Sequence, residues 1–221
     1  MQPDFWHQRW QHQQIGFHQG EPTALLQKHW PALGIATSAK VFVPLAGKSL
    51  DMVWLAARGH RVLAVELSQL AIDAFFSEHL LEPQVHASRH GLHHVAGNIE
   101  IIRGDVFDLD AAALADCSAV FDRAAVIALP PEMRQRYART PYSLLPEGCR
   151  GLMITLEYSQ DERPGPPFSV PESEIRALFE PFWEIQPLER RPIPSEHPGH
   201  VTGTSALDTV VYGLVRGRIR D

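Results

Sequence analysis

Two apolar runs joined through a short turn and a helix-length segment constrain this chain more than any other feature. The first is Val41-Phe42-Val43-Pro44-Leu45-Ala46-Gly47-Lys48-Ser49 and the second is Val62-Leu63-Ala64-Val65-Glu66. A strand that breaks at a Pro/Gly turn, a helix, and a second strand ending in a carboxylate make a parallel strand–helix–strand unit. Glu66 follows Gly47 at close to the roughly 20 residues that separate a nucleotide-binding turn from the acid that holds a ribose diol. Gly47 and Glu66 are therefore candidate ligand contacts at the carboxyl ends of a parallel sheet.

The turn also says which ligand to expect. A dinucleotide site rests a pyrophosphate on backbone N–H groups and uses three glycines to do so. Here Gly47 stands alone, and Pro44 has no N–H to offer. S-adenosylmethionine carries the same ribose without a phosphate, so it needs close backbone approach but no anion cradle. It fits this turn better than NAD. The triplet Gly47-Lys48-Ser49 suggests a P-loop, but that pattern requires a glycine where Phe42 stands.

Strand-like runs recur at residues 40–43, 61–65, 99–102, 119–121 and 151–158, most of them separated by helix-compatible segments. One such segment, 49–58, places Leu50, Val53 and Trp54 on one face. Another, 68–79, opens with Ser68 as cap and carries Leu70, Ile72, Phe75 and Phe76. The alternation predicts an α/β, doubly wound sheet with helices on both faces. Residues 161–167 read as a loop and 171–179 as a helix opened by proline. Runs at 183–188 and 209–215 would complete the sheet as a hairpin, giving seven mostly parallel strands with the last antiparallel. The Pro/His/Gly-rich stretch 191–204 joins them, and the 221 residues read as a single domain.

A net charge of −6 argues against nucleic acid or an anionic membrane as the main partner. No apolar run reaches membrane-spanning length, and the first residues lack the basic start and apolar centre of a secretory signal. Cys117 and Cys149 each open an expected buried strand, so both are expected to be reduced and structural, in a cytoplasmic protein. The segment 81–97 carries His86, His90, His93 and His94; it reads as a solvated insertion loop rather than a metal site, although His90 and His94 would share a face if it were helical. Arg216, Arg218 and Arg220 read as a solvated basic tail.

Three further segments complete a constellation. Gly104-Asp105-Val106-Phe107 puts a carboxylate and an aromatic ring where an adenine base lies in this architecture, although Asp105 would also serve as a helix cap. Phe121-Asp122-Arg123-Ala124-Ala125 closes the fourth strand at the central crevice, where Arg123 has Asp122 or Glu157 as possible ion-pair partners. The N-terminal stretch Phe5-Trp6-His7-Gln8-Arg9-Trp10 leads into Ile15-Gly16-Phe17-His18, an arm too apolar to be a free tail. Together with Val43-Pro44-Leu45, Gly47-Lys48-Ser49, Asp51-Met52, Glu66-Leu67-Ser68 and Gly165-Pro166-Pro167-Phe168, these motifs resemble the thiopurine S-methyltransferase family over nearly the whole chain. The chain departs from the family at Ala46, where the family commonly has cysteine.

The resemblance implies a class I S-adenosylmethionine-dependent methyltransferase of the bacterial type: a cytosolic monomer that methylates sulfur in thiopurines and other aromatic or heterocyclic thiols, with selenium and tellurium oxyanions as further acceptors. Carried over by position, it implies cofactor contacts at Trp10, Leu45, Glu66 and Arg123, and Phe17 beside the acceptor. With Gly47 and Asp105 from the pattern itself, that makes the expected site, under a lid formed by residues 1–22 and beside an acceptor-side loop at 191–204. Heteroaromatic thiols ionise readily, so the protein mainly aligns donor and acceptor and excludes water. Arg123 would help hold the cofactor and favour the acceptor anion, and Asp122 is the candidate for a deprotonating group. No resident metal is expected. The alternatives are an O- or N-directed small-molecule methyltransferase, which would need a positioned base, and a non-catalytic S-adenosylmethionine-binding protein.

Overall fold

The computed structural model describes residues 3–197 and 200–217. Helices α1 (Pro3–Gln11) and α2 (Ala24–His29) precede β1 (Lys40–Val43), α3 (Leu50–Ala57), β2 (Arg61–Glu66) and α4 (Gln69–Glu78). Next come β3 (Gln84–Ser88), β4 (Gly91–Ala96), β5 (Ile99–Arg103), α5 (Ala111–Leu114) and β6 (Cys117–Arg123). The chain continues through α6 (Pro131–Arg139), α7 (Pro141–Leu144), β7 (Arg150–Glu157), α8 (Glu172–Phe179), β8 (Trp183–Pro192) and β9 (Asp208–Arg216). Among the described residues these strands form one nine-stranded sheet in the order β3-β4-β5-β2-β1-β6-β7-β9-β8. The five strands β5, β2, β1, β6 and β7 pair in parallel. β9 runs antiparallel between β7 and β8, as the expected closing hairpin requires.

Both faces of the parallel strands are covered, which is why they read as unbroken apolar runs. Alternation along β1 and β2 sends Phe42, Leu63 and Val65 to one face, against Leu114, Tyr137, Ile175 and Phe179. Val41, Val43, Val62 and Ala64 go to the other face, against Leu26, Met52, Leu55, Ile72 and Phe75. Fully burying a side chain such as Leu55 or Phe75 contributes about 1.5–3 kcal/mol. The helices start where the caps predict: Ser49 and Ser68 accept the N–H groups of Asp51 and Ala71. Their buried faces are slightly rotated from expectation. α3 turns Met52, Trp54 and Leu55 inward while Leu50 and Val53 are only half-buried, and Leu70 of α4 is 50% exposed. Position 70 lies about 200° around the helix from Ile72, so the Ile72–Phe75–Phe76 stripe leaves it outside.

Two expectations are corrected. The histidine-rich segment 81–97 is not a loop: it forms the antiparallel hairpin β3–β4, whose second strand pairs with β5. His94 lies on β4 and His90 in the turn before it, so they do not share a helix face. Gly91 permits this close approach, with φ of +130° and a position where a Cβ would collide with the Arg103 carbonyl. Arg216 is not a solvated tail residue either. It is 4% exposed on β9, donates to the carbonyls of Phe182 and Ser143, and lies over the rings of Phe182 and Trp183. Arg218 and Arg220 lie outside the described residues. Cys117 and Cys149 are free and buried, and burial pushes both thiols up to about 12. No helix among the described residues is long and apolar enough to cross a membrane.

Candidate active site

β1 sits between β2 and β6, so the chain winds away from it in both directions, and a crevice opens beyond the carboxyl ends of these strands. The turn leaving β1 is held tightly there. Leu45 has φ of +47°, a conformation unfavourable for a residue with a Cβ, and Gly47 has φ of +55°. The Ala46 N–H donates to the Val65 carbonyl at 3.0 Å, tying the turn to β2. Gly47 N–H donates to Glu66 Oε2 and Ser68 N–H to Glu66 Oε1, each at 2.8 Å. Glu66 is 7% exposed. Burial raises its pKa, and the N–H groups of Ser68 and Gly47 oppose that rise. Each carboxylate oxygen keeps a second lone pair, which fits a vicinal diol.

The N-terminal arm covers this turn. A Cβ added to Gly47 would lie 3.2 Å from the Trp10 ring, so both the backbone angle and the packing call for glycine. Trp10 is 7% exposed and meets Phe17 edge-to-face at 5.7 Å, while Phe17 also contacts Trp6 and remains 36% exposed. Trp10, Phe17, Gly47 and Glu66 are thereby brought together. On the arm, the pKa of His18 is lowered by burial and, with opposition from Glu78, by the nearby Lys48 and Arg123 charges.

Arg123 pairs with neither Asp122 nor Glu157. Its Nε donates to Asp51 Oδ2 at 2.8 Å and one terminal nitrogen to Ser49 Oγ at 3.4 Å. Asp51 also accepts from the Thr23 N–H at 2.7 Å, the Thr23 hydroxyl at 3.0 Å and the Ser49 hydroxyl at 2.9 Å. A single buried carboxylate thus joins the segment before α2, the start of α3 and the end of β6. Sequence reasoning gave Asp51 no role. Its position two residues after the cap Ser49 was visible, whereas its distant partner Arg123 was not.

Strand alternation separates Asp122 from Arg123. Asp122 faces the opposite side of the sheet, fully buried, and accepts from the hydroxyls of Tyr137 and Tyr142 at 2.8 Å each and from the Val126 N–H at 3.3 Å. Burial raises the pKa of Asp122 and those donors lower it. Both tyrosines are pushed well above their ordinary values, chiefly by burial. Asp105 caps a short turn by accepting from the Phe107 N–H at 2.9 Å. It also lines a cavity of about 470 Å³, with Leu67 and Ser68 from the end of β2 and His7 and Gln11 from the arm.

A second cavity, of about 810 Å³, lies past the end of β7 among Glu157, Tyr158, Phe168, Arg134 and Asp208. It is larger but contains none of the predicted cofactor residues. The smaller one is lined by Asp105, alone among those residues, and by Ser68, whose N–H donates to Glu66, so it is the better candidate for the cofactor. The stretch after β8 returns to the 159–168 loop: Arg163 donates to the Thr202 carbonyl, and the Ser205 N–H donates to Glu162. Residues 205–208 line the larger cavity.

Comparison with known proteins gives the family and the fold. The family model described as Thiopurine S-methyltransferase (TPMT) matches residues 1–217. A thiopurine S-methyltransferase of Xanthomonas campestris pv. campestris (strain 8004) is 57% identical over 217 residues, covering 98% of this chain and 100% of that one. One from Bordetella parapertussis is 54% identical, over 98% and 99% of the two chains. Among solved structures, a Burkholderia thailandensis 1,6-didemethyltoxoflavin-N1-methyltransferase with bound S-adenosylhomocysteine superposes with a TM-score of 0.64 at 15% identity, over 98% of this chain and 87% of that one. A SAM-dependent methyltransferase from Anabaena variabilis gives 0.64 at 16% identity, over 98% and 95%. The fold is that of class I S-adenosylmethionine-dependent methyltransferases, and the chain belongs to the thiopurine S-methyltransferase family.

Proposed function

We propose that this protein is an S-adenosylmethionine-dependent S-methyltransferase acting on thiopurines and related aromatic or heterocyclic thiols, with selenium and tellurium species as further acceptors. Family membership supports the reaction class. The observation that carries the site is the packing of Trp10 over Gly47, whose N–H is held by Glu66. This combines close backbone approach, a buried acceptor for a diol and an aromatic cover. When bound, S-adenosylmethionine supplies a methyl group on a positively charged sulfur, which an acceptor thiolate takes by in-line displacement. Glu66 would accept from the ribose hydroxyls, Leu45 and Gly47 would present backbone, and Asp105 would border the base. Trp10 and Phe17 would exclude water, with Phe17 beside the acceptor.

Arg123, oriented by Asp51, would hold a fixed positive charge near the acceptor and favour its anion. Asp122 is turned into the core and occupied by two tyrosines, so a role in positioning the end of β6 suits it better than a role as base. The loop 191–204 would border the acceptor through its continuation at 205–208. The reading takes the enzyme as a monomer and as cytoplasmic, the compartment being consistent with two free buried cysteines. The test is methyl transfer from labelled cofactor to a panel of thiopurine, thiophenol, selenite and tellurite, with a phenol and an amine as controls. Transfer to the thiols is expected. Transfer only to the oxygen or nitrogen acceptor, or binding without turnover, would overturn the reading.

A further inference from the structure

Three ligand-type side chains meet where the β3–β4 hairpin pairs with β5, none of them among the crevice residues. His86 and His93 are directly paired across the hairpin, so both leave the same face of the sheet. Their rings stack with centroids 4.6 Å apart and planes 23° apart. Glu100 joins them from β5, and one ligand atom from each of the three lies within 4.8 Å of the others. Glu100 Oε1 stands 2.6 Å from His93 Nδ1.

A carboxylate oxygen and an imidazole nitrogen at that separation share a proton; zinc in its place, tetrahedral and at its usual bond lengths, would part the two donors to about 3.3 Å, a small side-chain adjustment. Ser88 Oγ lies 2.6 Å from His93 Nε2. With a metal in the proton's place, Nε2–H donates to that hydroxyl, the arrangement in which metal-bound imidazoles hold their second nitrogen. Lys40 Nζ lies 3.9 Å from the other Glu100 oxygen and 3.2 Å from Asp116, so Oε1 is left to the imidazoles. His86 is exposed on the edge strand, which gives an ion and a water access. Two imidazoles and a carboxylate with an open fourth position suit zinc, and imidazole also suits nickel and copper(II). We propose that His86, His93 and Glu100 form a divalent transition-metal site of the zinc class that clamps the edge hairpin to β5. The site is independent of methyl transfer.

The experiment uses the untagged full chain, stripped with chelator and dialysed against zinc chloride, with bound metal counted per chain and Tm recorded. One zinc per chain and a zinc-dependent rise in Tm are expected. Cobalt(II) in place of zinc should give the strong visible absorption of a four-coordinate ion. His86→Ala and Glu100→Gln should each weaken zinc by at least about tenfold, the lower end of the scale on which even outer partners of a metal act. His90→Ala serves as the control and should leave the affinity unchanged. The proposal is overturned by absence of stoichiometric binding, by parent-like affinity in either ligand variant, or by loss of binding in the control. If a ligand variant fails to fold, the cobalt spectrum of the parent decides, and a weak six-coordinate spectrum overturns the site.

Discussion

Glu66 and Arg123 are the residues on which the account of this site turns, and they respond to substitution for different reasons. On the proposed reading Glu66 would accept two charge-assisted bonds from a ribose, each contributing about 1.5–3 kcal/mol. Glu66→Ala should therefore weaken S-adenosylmethionine at least about tenfold by calorimetry; unchanged affinity would remove Glu66 from the site. Arg123 faces a carboxylate whose side chain is 2% exposed. Arg123→Ala should destabilise the fold by about 3 kcal/mol, because buried Asp51 loses its counter-charge and keeps only the Thr23 and Ser49 donors. Denaturant unfolding checks this, and a loss much below 1 kcal/mol would mean that water reaches Asp51. Asp122 adds a pH signature. Burial raises its pKa above the unfolded value, so its contribution is fully present below the ordinary carboxylate range and is lost as pH rises through the raised value. Compared with Asp122→Asn, the parent should thus lose relative stability with rising pH; a flat difference across that window would contradict the assignment. The pattern Gly47…Glu66 was legible because both ends of the contact are close in sequence. The Arg123–Asp51 pair was not, since only the sheet order β2-β1-β6 brings β6 beside the start of α3.

At the scale of elements, the arm is the part whose behaviour the cofactor should change. Trp10 and Phe17 meet over Gly47, yet Phe17 is partly exposed, so the cover has an apolar face still open to a ligand. Limited proteolysis should cleave before Gly20 more slowly when S-adenosylhomocysteine is present. Equal cleavage in both states would make the arm a static element. Helices with serine caps and strands buried on both faces were readable from sequence, because each carries its own local signal. The β3–β4 hairpin was not. All five residues of β3 are exposed, so it lacks the apolar alternation that marks a half-buried strand. Arg216 misled for the converse reason: a charged residue near the terminus is buried because its guanidinium lies over two aromatic rings and reaches two carbonyls.

At the scale of the fold, the nine strands among the described residues divide into a seven-stranded methyltransferase sheet and an added edge hairpin, with the crevice where the winding reverses at β1. The fold class was legible because alternating strands and helices admit few topologies. Which residues do chemistry was less so, because neighbours such as Asp122 and Arg123 separate to opposite faces only once the strand is placed. That separation leads to the central claim: the protein supplies alignment, shelter from water and a fixed positive charge, and the acceptor brings its own anion. The direct test is the pH dependence of kcat/KM across aromatic thiols of graded acidity. The account predicts an acidic limb that moves with the pKa of each thiol and survives in Asp122→Asn. A single limb shared by every thiol, and abolished in Asp122→Asn, would show that the protein provides the base and would contradict it.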